Sequence, residues 1–436
     1  MFTSRHIILW ILLLLLLGYS IYSAVEHYGH SPYNDLRNRV VGARLQAAEQ
    51  SPYFHKWQTG EPETWLDPFE KPGQVVNGNT VTPVTLAVFS WMNGWHYDQV
   101  KCLWIVFTFA CFITALVLAY RLLQLYRRPV YLLLLPAALL ASVAWKLHLF
   151  SGQIYIVYTL LLVLFFYLYA TKRFFMAGMM ALLLVALRLP AALVFLPLFL
   201  WKFDKRMLFG GLAALGLLAV IHIIKIPSQN WPDYFRSMSI HALEIPGKIP
   251  ETDMNNKPTV VYPSGPEHIQ FNNIEARDAY QRQLSPDILS VQKLMPKEGF
   301  FAQPVMLTLL LLFTYLLLYV VAAGKKLPRK MDGPGLLLSG FVLYILSEYF
   351  LPAPRFTYNF VQWLFPLTVL ACSGKLYINW RLGLLLAGLF MNLVKLPFIP
   401  DAYSAGELLM LAALLAYLFQ TEKTGENNGA PAKFAA

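Results

Sequence analysis

The chain has few charged residues and few cysteines. Charged residues make up 14% of its 436 positions, whereas hydrophobic residues make up 57%. A typical soluble domain is about 25% charged, so this composition excludes a typical soluble protein. It indicates instead that most of the protein surface is solvated by lipid. Its three cysteines, Cys102, Cys111 and Cys372, all lie in apolar runs, where cysteine behaves as a small hydrophobic residue. The sequence therefore offers no disulfide framework and no zinc site, and it predicts an all-α polytopic membrane protein.

Apolar runs of spanning length recur along the whole chain. They predict about twelve transmembrane helices. The runs lie near residues 7–24, 100–120, 129–145, 154–170, 174–187, 191–201, 208–224, 304–323, 335–350, 361–373, 381–393 and 406–420. Residues 174–201 are either two helices or one kinked pair around Pro190. The first run is long for a signal peptide and lacks the small residue expected upstream of a cleavage site, so we interpret it as an uncleaved helix.

Basic residues cluster at alternate connections between these runs. The clusters are Arg121, Arg127 and Arg128; Lys172 and Arg173; Lys202, Lys205 and Arg206; Lys325, Lys326, Arg329 and Lys330; and Lys375. By the positive-inside rule, both termini are cytoplasmic in a multi-pass plasma-membrane protein, and residues 25–97 and 225–303 form extracytoplasmic loops. The net charge of +11 follows largely from this topology, so no nucleic-acid partner is expected. Residues 421–436 are expected to be a disordered cytoplasmic tail.

The two outer loops are too short to hold independent cores, since each has fewer than about 80 residues. We therefore expect residues 1–436 to form a single membrane domain in which the loops roof a cavity. In the first loop, residues 35–50 carry an apolar stripe at helical spacing: Leu36, Val40, Ala43 and Ala47. This stripe predicts an interfacial helix that ends at Ser51-Pro52. The tryptophan-rich residues 84–95 predict a second interfacial helix.

Asp35 stands at the head of the first predicted interfacial helix, with Arg37, Arg39 and Arg44 following it. A carboxylate at the outer face of a membrane protein can act as a general base beside an anionic, lipid-linked substrate. The alternative is a helix N-cap, a position that Asp favours whatever the function. The two roles do not exclude one another.

The outer turn from Lys146 to Gln153 contains His148 and Gly152. Lys and His at a membrane surface are often interfacial anchors. Gly152 precedes a predicted helix whose first amides point toward the turn, which also makes an anion site possible. Both interpretations stay open from the sequence.

Two arginines lie at other outer turns. Arg188 interrupts an apolar run and has no carboxylate within ten residues. A charge in such a place is expensive, so we interpret Arg188 first as a functional residue. Anchoring of its side chain at the membrane interface is the alternative. Arg355 begins a polar stripe that continues through Tyr358, Asn359 and Gln362 at helical spacing. Such a stripe normally faces a cavity or another helix. Glu348 is close enough in sequence to form a structural ion pair with Arg355.

The order of these parts resembles the GT-C superfamily of membrane glycosyltransferases, and within it the family 87 type that includes polyprenol-dependent mannosyltransferases. The resemblance rests on Asp35 followed by a helix and Ser51-Pro52-Tyr53, on Gly152-Gln153, on Arg188 near Pro190, and on the stripe from Arg355 to Gln362. It implies a GT-C-like fold and an inverting hexosyltransferase, with a mannose-like sugar favoured. It further implies a polyprenyl-phosphate sugar donor and an extracytoplasmic glycan or glycolipid acceptor, both met at the lipid surface.

The resemblance also assigns roles to the candidate residues. Asp35 is expected to be the catalytic base. Donor phosphate would be bound by Arg188, Arg355, Lys146 and His148, whereas Asn34, Gln153, Tyr358 and Gln362 would bind sugar or acceptor hydroxyls. No cofactor and no metal ligands are expected, because the region around Asp35 lacks a second acidic neighbour, although a divalent metal is left open.

Two other classes of function compete with a transferase. A transporter or flippase of lipid-linked sugars would also need a cationic cavity, but such proteins usually show internal repeats and helices broken at the midplane. The sequence shows no repeat, and its polar features lie on one side. A structural assembly subunit would leave Arg188 and the Arg355 stripe unexplained, so an enzyme is favoured.

Overall fold

The structure is a computed structural model that describes residues 4–28, 33–55, 60–65, 79–202, 204–244, 332–350, 355–376, 378–394 and 402–418. All regular elements in these ranges are helical, which confirms the predicted fold class there. The predicted helix near 304–323, most of the outer loop 225–303 and the tail 421–436 lie outside the described residues.

Fifteen α-helices are described in these ranges. They are α1 Ser4–Tyr28, α2 Asn34–Ala47, α3 Pro83–Phe89, α4 Tyr97–Leu125, α5 Leu134–Ala137, α6 Val143–Ser151, α7 Tyr155–Ala170, α8 Phe174–Leu187, α9 Ala192–Trp201, α10 Lys205–Lys225, α11 Asn230–Glu244, α12 Gly333–Phe350, α13 Leu364–Ser373, α14 Trp380–Leu393 and α15 Ala402–Leu418. Short 3₁₀ helices include Ser90–Met92, Val130–Leu133, Ala138–Ala141, Leu189–Ala191 and Thr357–Trp363.

Three described helices are long and apolar enough to cross a membrane. They are α1 over Ile7–Glu26, α4 and α10, and the bent pair Val130–Ala141 and Val143–Ser151 adds a fourth if it counts as one crossing. A helix rises about 1.5 Å per residue and needs about 20 residues to cross about 30 Å of hydrocarbon. Six further apolar helices described have 10–17 residues, and α12 has 18, so the predicted count of about twelve is not confirmed.

The predicted helix near 129–145 is not continuous, because the chain bends by 54° between Val130–Ala141 and Val143–Ser151. Ser142 at the bend is extended, and its hydroxyl accepts a hydrogen bond from the Trp145 amide at 3.0 Å. Serine is a favourable N-cap, so it starts a new helix here within an otherwise apolar run.

Residues 174–201 form two helices. Arg188 lies between α8 and α9 in an extended conformation, with φ −148° and ψ 97°, and Pro190 falls in the short turn that follows it. Proline lacks an amide hydrogen and cannot continue the hydrogen bonding of the preceding helix. The break leaves Arg188 outside both helices.

Helix α12 lies directly against α9. A Cβ atom added at Gly340 of α12 would stand 2.0 Å from the carbonyl oxygen of Val194, so the two backbones are in contact. Only glycine permits this approach. The contact places α12, which carries Glu348, beside the break that carries Arg188.

The predicted helix over 35–50 is present as α2, but its setting differs from the prediction. Arg37 and Arg39 are 1% and 5% exposed, whereas Ala47, at the end of the predicted apolar stripe, is exposed. The helix is therefore packed inside the protein and does not lie with a polar face in water. The second predicted helix, over 84–95, is confirmed as α3 and the 3₁₀ helix that follows it.

Candidate active site

Asp35 lies in the first turn of α2 but does not cap it. The N-cap residue is Tyr33, in a left-handed conformation with φ 51°, and no side chain makes a capping hydrogen bond there. The ammonium of Lys101 sits 4.8 Å from the centre of the Tyr33 ring, and the Tyr97 hydroxyl donates to the Tyr33 carbonyl at 3.2 Å. The helix start is thus fixed by other residues, which leaves the Asp35 carboxylate for another partner.

That partner is Gln153. Its Nε2 donates to Asp35 Oδ2 at 2.6 Å, and its Oε1 accepts from Arg39 Nη2 at 2.7 Å. Arg39 Nη1 also donates to the Gly152 carbonyl at 2.8 Å. Because arginine can only donate, Gln153 must turn its oxygen toward Arg39 and its amide toward Asp35. The bridge fixes the orientation of the carboxylate.

The surroundings of Asp35 alter its acidity. Burial raises the pKa of the Asp35 carboxyl above its usual value of 3.8, while the charges of Arg39 and Arg37 and the hydrogen bond from Gln153 act in the opposite direction. The side chain nevertheless keeps some exposed surface. A carboxylate with a raised pKa is a better proton acceptor than an ordinary one, and the exposed part of Asp35 is accessible to a substrate.

Gly152 brings the α6–α7 turn onto α2. Its φ is +68°, and a Cβ atom there would lie 2.5 Å from Cβ of Leu36. Any side chain would be strained by the backbone conformation and would collide with α2. This contact holds Gln153 beside Asp35, although the two residues are 118 positions apart.

The other two candidates on this turn have separate partners. Lys146 donates to the Tyr19 hydroxyl at 2.6 Å and lies over that ring, so it faces α1. His148 is fully buried, and its Nε2 accepts a hydrogen bond from the Ile156 amide at 3.1 Å. That nitrogen carries no proton, so the ring is neutral and serves the start of α7. The structure does not bring either side chain to the Asp35–Gln153 pair.

Arg188 lies at the edge of a second polar group. Its Nε donates to the Tyr344 hydroxyl at 2.8 Å and to Glu348 Oε1 at 3.0 Å, and its Nη2 also contacts Glu348. The guanidinium carbon is 5.0 Å from the centre of the Tyr155 ring. The Arg188 side chain is 18% exposed. It is therefore paired with a carboxylate but still offers a surface to a ligand.

Arg355 has no exposed surface and pairs with two carboxylates. Its Nη1 contacts Glu348, and its Nε donates to Glu407 at 3.0 and 2.9 Å. The Glu348 ion pair left open by the sequence is present, but Glu348 bridges both arginines. The partner Glu407 was missed, because it lies 52 residues from Arg355 within an apolar run.

The remaining predicted residues lie beside these pairs. Gln362 accepts from Arg355 Nη1 at 2.8 Å and donates to the Tyr344 hydroxyl at 2.7 Å. The Tyr358 ring is 5.7 Å from that of Tyr155, next to Arg188. The side chain of Asn34 is outside what the structure describes.

Tyr158 is related to both groups. Its hydroxyl donates to the Leu187 carbonyl at 3.5 Å, next to Arg188, and the charges of both Arg39 and Arg188 act on it. The arginine that holds Gln153 and the exposed arginine therefore both influence one tyrosine. The described residues contain no group of three or more His, Cys, Asp or Glu side chains placed to hold a metal ion.

Comparison with known proteins gives a match to a protein-family model. Residues 80–258 match the family model described as glycosyltransferase family 87. This range contains Gln153 and Arg188 but neither Asp35 nor Arg355. No curated protein and no solved structure matches the chain. Residues 80–258 are therefore similar to glycosyltransferase family 87, and this match, together with the long apolar helices, is consistent with a membrane glycosyltransferase.

Proposed function

We propose that the protein moves a monosaccharide, with a mannose-like hexose favoured, from a polyprenyl-phosphate donor to a glycan or glycolipid acceptor. The reaction takes place at the extracytoplasmic face of the plasma membrane. The observation that carries the proposal is the Asp35 carboxylate held by Gln153, together with a partly exposed Arg188 whose charge acts on the same tyrosine, Tyr158, as that of Arg39.

The chemistry is a single displacement with inversion at the anomeric carbon. The acceptor hydroxyl oxygen forms a bond to that carbon while its proton passes to Asp35. The bond from the anomeric carbon to the phosphate oxygen breaks, and polyprenyl phosphate leaves with the bonding electrons. A fixed carboxylate with a raised pKa suits the proton transfer, which typically accelerates a reaction about 10²–10⁴-fold.

Arg188 is the cation that we assign to the leaving phosphate. Negative charge grows on that phosphate as the bond breaks, and a preorganised guanidinium stabilises it. Among the four expected phosphate ligands, Arg188 combines a partly exposed guanidinium with a place beside Tyr158. Arg355 is fully buried between two carboxylates, and the other two candidates face other partners. We therefore propose that Arg355 acts through Glu348.

The candidates for sugar and acceptor binding divide in a similar way. The Gln153 carboxamide is occupied by Asp35 and Arg39, and that of Gln362 by Arg355 and Tyr344. Tyr358 is partly exposed beside Tyr155, and paired aromatic rings suit the apolar face of a hexose. We assign sugar binding to these two rings and positioning to the two glutamines.

The test is to supply the purified full-length protein in lipid vesicles with a panel of polyprenyl-phosphate sugars and a lipid-linked glycan acceptor. We expect release of polyprenyl phosphate together with a glycosidic bond of inverted anomeric configuration. Matched nucleotide sugars are the control and should give no product. Use of the nucleotide donors, or passage of the intact lipid-linked sugar across the vesicle without cleavage, would overturn the proposal, and the latter result would favour a transporter.

A further inference from the structure

Glu348 joins the two arginines through its two oxygens. Oε1 accepts from Arg188, and Oε2 accepts from Arg355. The Glu348 and Arg355 side chains are 1% and 0% exposed. A single buried carboxylate is thus shared by an arginine that reaches the site surface and another that does not.

The far side of Arg355 is held by α15. Glu407 takes two hydrogen bonds from Arg355 Nε, and the Trp363 indole donates to Glu407 Oε1 at 2.5 Å. Four charges therefore alternate along a row, Arg188, Glu348, Arg355 and Glu407, and they sum to zero. We call these four residues the charge row. It runs from the break after α8, through the end of α12, to a helix more than 200 residues away in sequence.

Burial makes the row a coupled unit. Charges interact more strongly in a protein interior than in water, because less solvent screens them. Removing one partner of a buried ion pair leaves an uncompensated charge that its neighbours must accommodate. Of the four members, Arg188 is the most exposed, at 18%. A change of charge at Glu407 therefore alters how much positive potential the row presents at Arg188.

We propose that Glu407 and Arg355 are positioning residues that tune the attraction of Arg188 for the donor phosphate. This inference rests on the proposed function. Without Glu407 the row has a net charge of +1, so the site should hold an anionic donor and its phosphate product too tightly. Without Arg355 the net charge is −1, and Glu348 pairs with Arg188 alone, so the site should hold both too weakly. The neutral row balances capture of the donor against release of the product.

Three variants separate charge from packing: Glu407→Gln, Arg355→Gln and the double variant Arg355→Gln/Glu407→Gln. For each, donor KM, kcat and competitive inhibition by polyprenyl phosphate are measured with the full-length protein. A unit charge about 10 Å from the phosphate at an effective dielectric constant of about 20 changes binding about tenfold. We expect Glu407→Gln to lower KM and the inhibition constant by about tenfold and to lower kcat. Arg355→Gln should raise both constants by about tenfold.

The double variant is decisive, because it restores a neutral row and leaves no buried charge unpaired. Its KM and inhibition constant should return to within about threefold of the unmodified protein. If one single variant fails to fold, the other single variant and the double variant together still test the proposal, because the single variant must shift both constants and the double variant must restore them. Tyr417→Phe is the matched control, because Tyr417 is buried on α15, the helix that carries Glu407. This variant should leave both constants unchanged.

Equal constants in all folded variants, or a double variant as weak in donor binding as Arg355→Gln, would overturn the proposal. Both outcomes differ from failure of the proposed function, in which the unmodified protein itself would release no polyprenyl phosphate from any donor.

Discussion

Gln153→Leu is the substitution that most sharply separates catalysis from structure at this site. Leucine has nearly the volume of glutamine but neither donates nor accepts a hydrogen bond. It would remove the 2.6 Å bond to Asp35 and the 2.7 Å bond from Arg39 while leaving the α6–α7 turn in place. Asp35 would lose the group that fixes its orientation.

The expected magnitude follows from those two hydrogen bonds. A hydrogen bond to a charged group contributes about 1.5–3 kcal/mol. The Gln153 bond lowers the pKa of the Asp35 carboxyl, so its loss should raise that pKa. The carboxylate is the active form, so the acidic limb of kcat/KM should move to higher pH. Loss of orientation should also lower kcat above the new pKa by about 10–100-fold.

The assay is polyprenyl phosphate release as a function of pH, alongside thermal unfolding of both proteins. Gln46→Leu is the matched control, since Gln46 is as buried as Gln153 and lies on α2, the helix that carries Asp35, but bonds to Asn230 and to backbone carbonyls. Both variants should lose similar stability, on the order of 1–3 kcal/mol. Only Gln153→Leu should shift the pH profile. An unmoved profile, or an equal shift in both variants, would refute the orienting role of Gln153.

Further predictions concern the same groups. Because burial raises the pKa of Asp35, kcat/KM of the unmodified protein should rise with pH through a midpoint above 3.8, and a midpoint at or below that value would contradict the assignment. Arg188→Lys cannot reproduce the paired contacts to Glu348 and Tyr344, so donor KM should rise about tenfold with every polyprenyl-phosphate sugar. A rise with only some sugars would indicate sugar recognition instead. Gly152→Ala should destabilise the protein by about 1–3 kcal/mol through its φ of +68° and the contact with Leu36, whereas unchanged thermal unfolding would show that the turn relaxes.

The sequence predicted the all-helical fold class of the described residues, because hydropathy is a one-dimensional signal. It named Asp35 and Gln153 but not their contact, which depends on the approach of Gly152 to Leu36 across more than 100 residues. That approach leaves no local pattern in the sequence.

Two features were predicted incorrectly or missed for physical reasons. Helix α2 was predicted to be interfacial, but its Arg37 and Arg39 are buried, and Arg39 bonds to polar groups of the protein, an environment that a sequence pattern does not distinguish from water. Glu407 was overlooked within a run interpreted as a transmembrane helix. A single carboxylate in such a run was itself the available signal, since a charge there normally requires a partner.

The central claim is that Asp35 accepts the proton of the acceptor hydroxyl. Asp35→Asn retains the shape of the side chain and removes its ability to accept that proton. The direct measurement is single-turnover transfer from a polyprenyl-phosphate sugar by the full-length variant, with its thermal unfolding recorded in the same preparation. We predict that transfer falls on the order of 100-fold or more while the variant still folds and binds donor. Near-normal transfer by folded Asp35→Asn protein would contradict the account and limit Asp35 to a structural role.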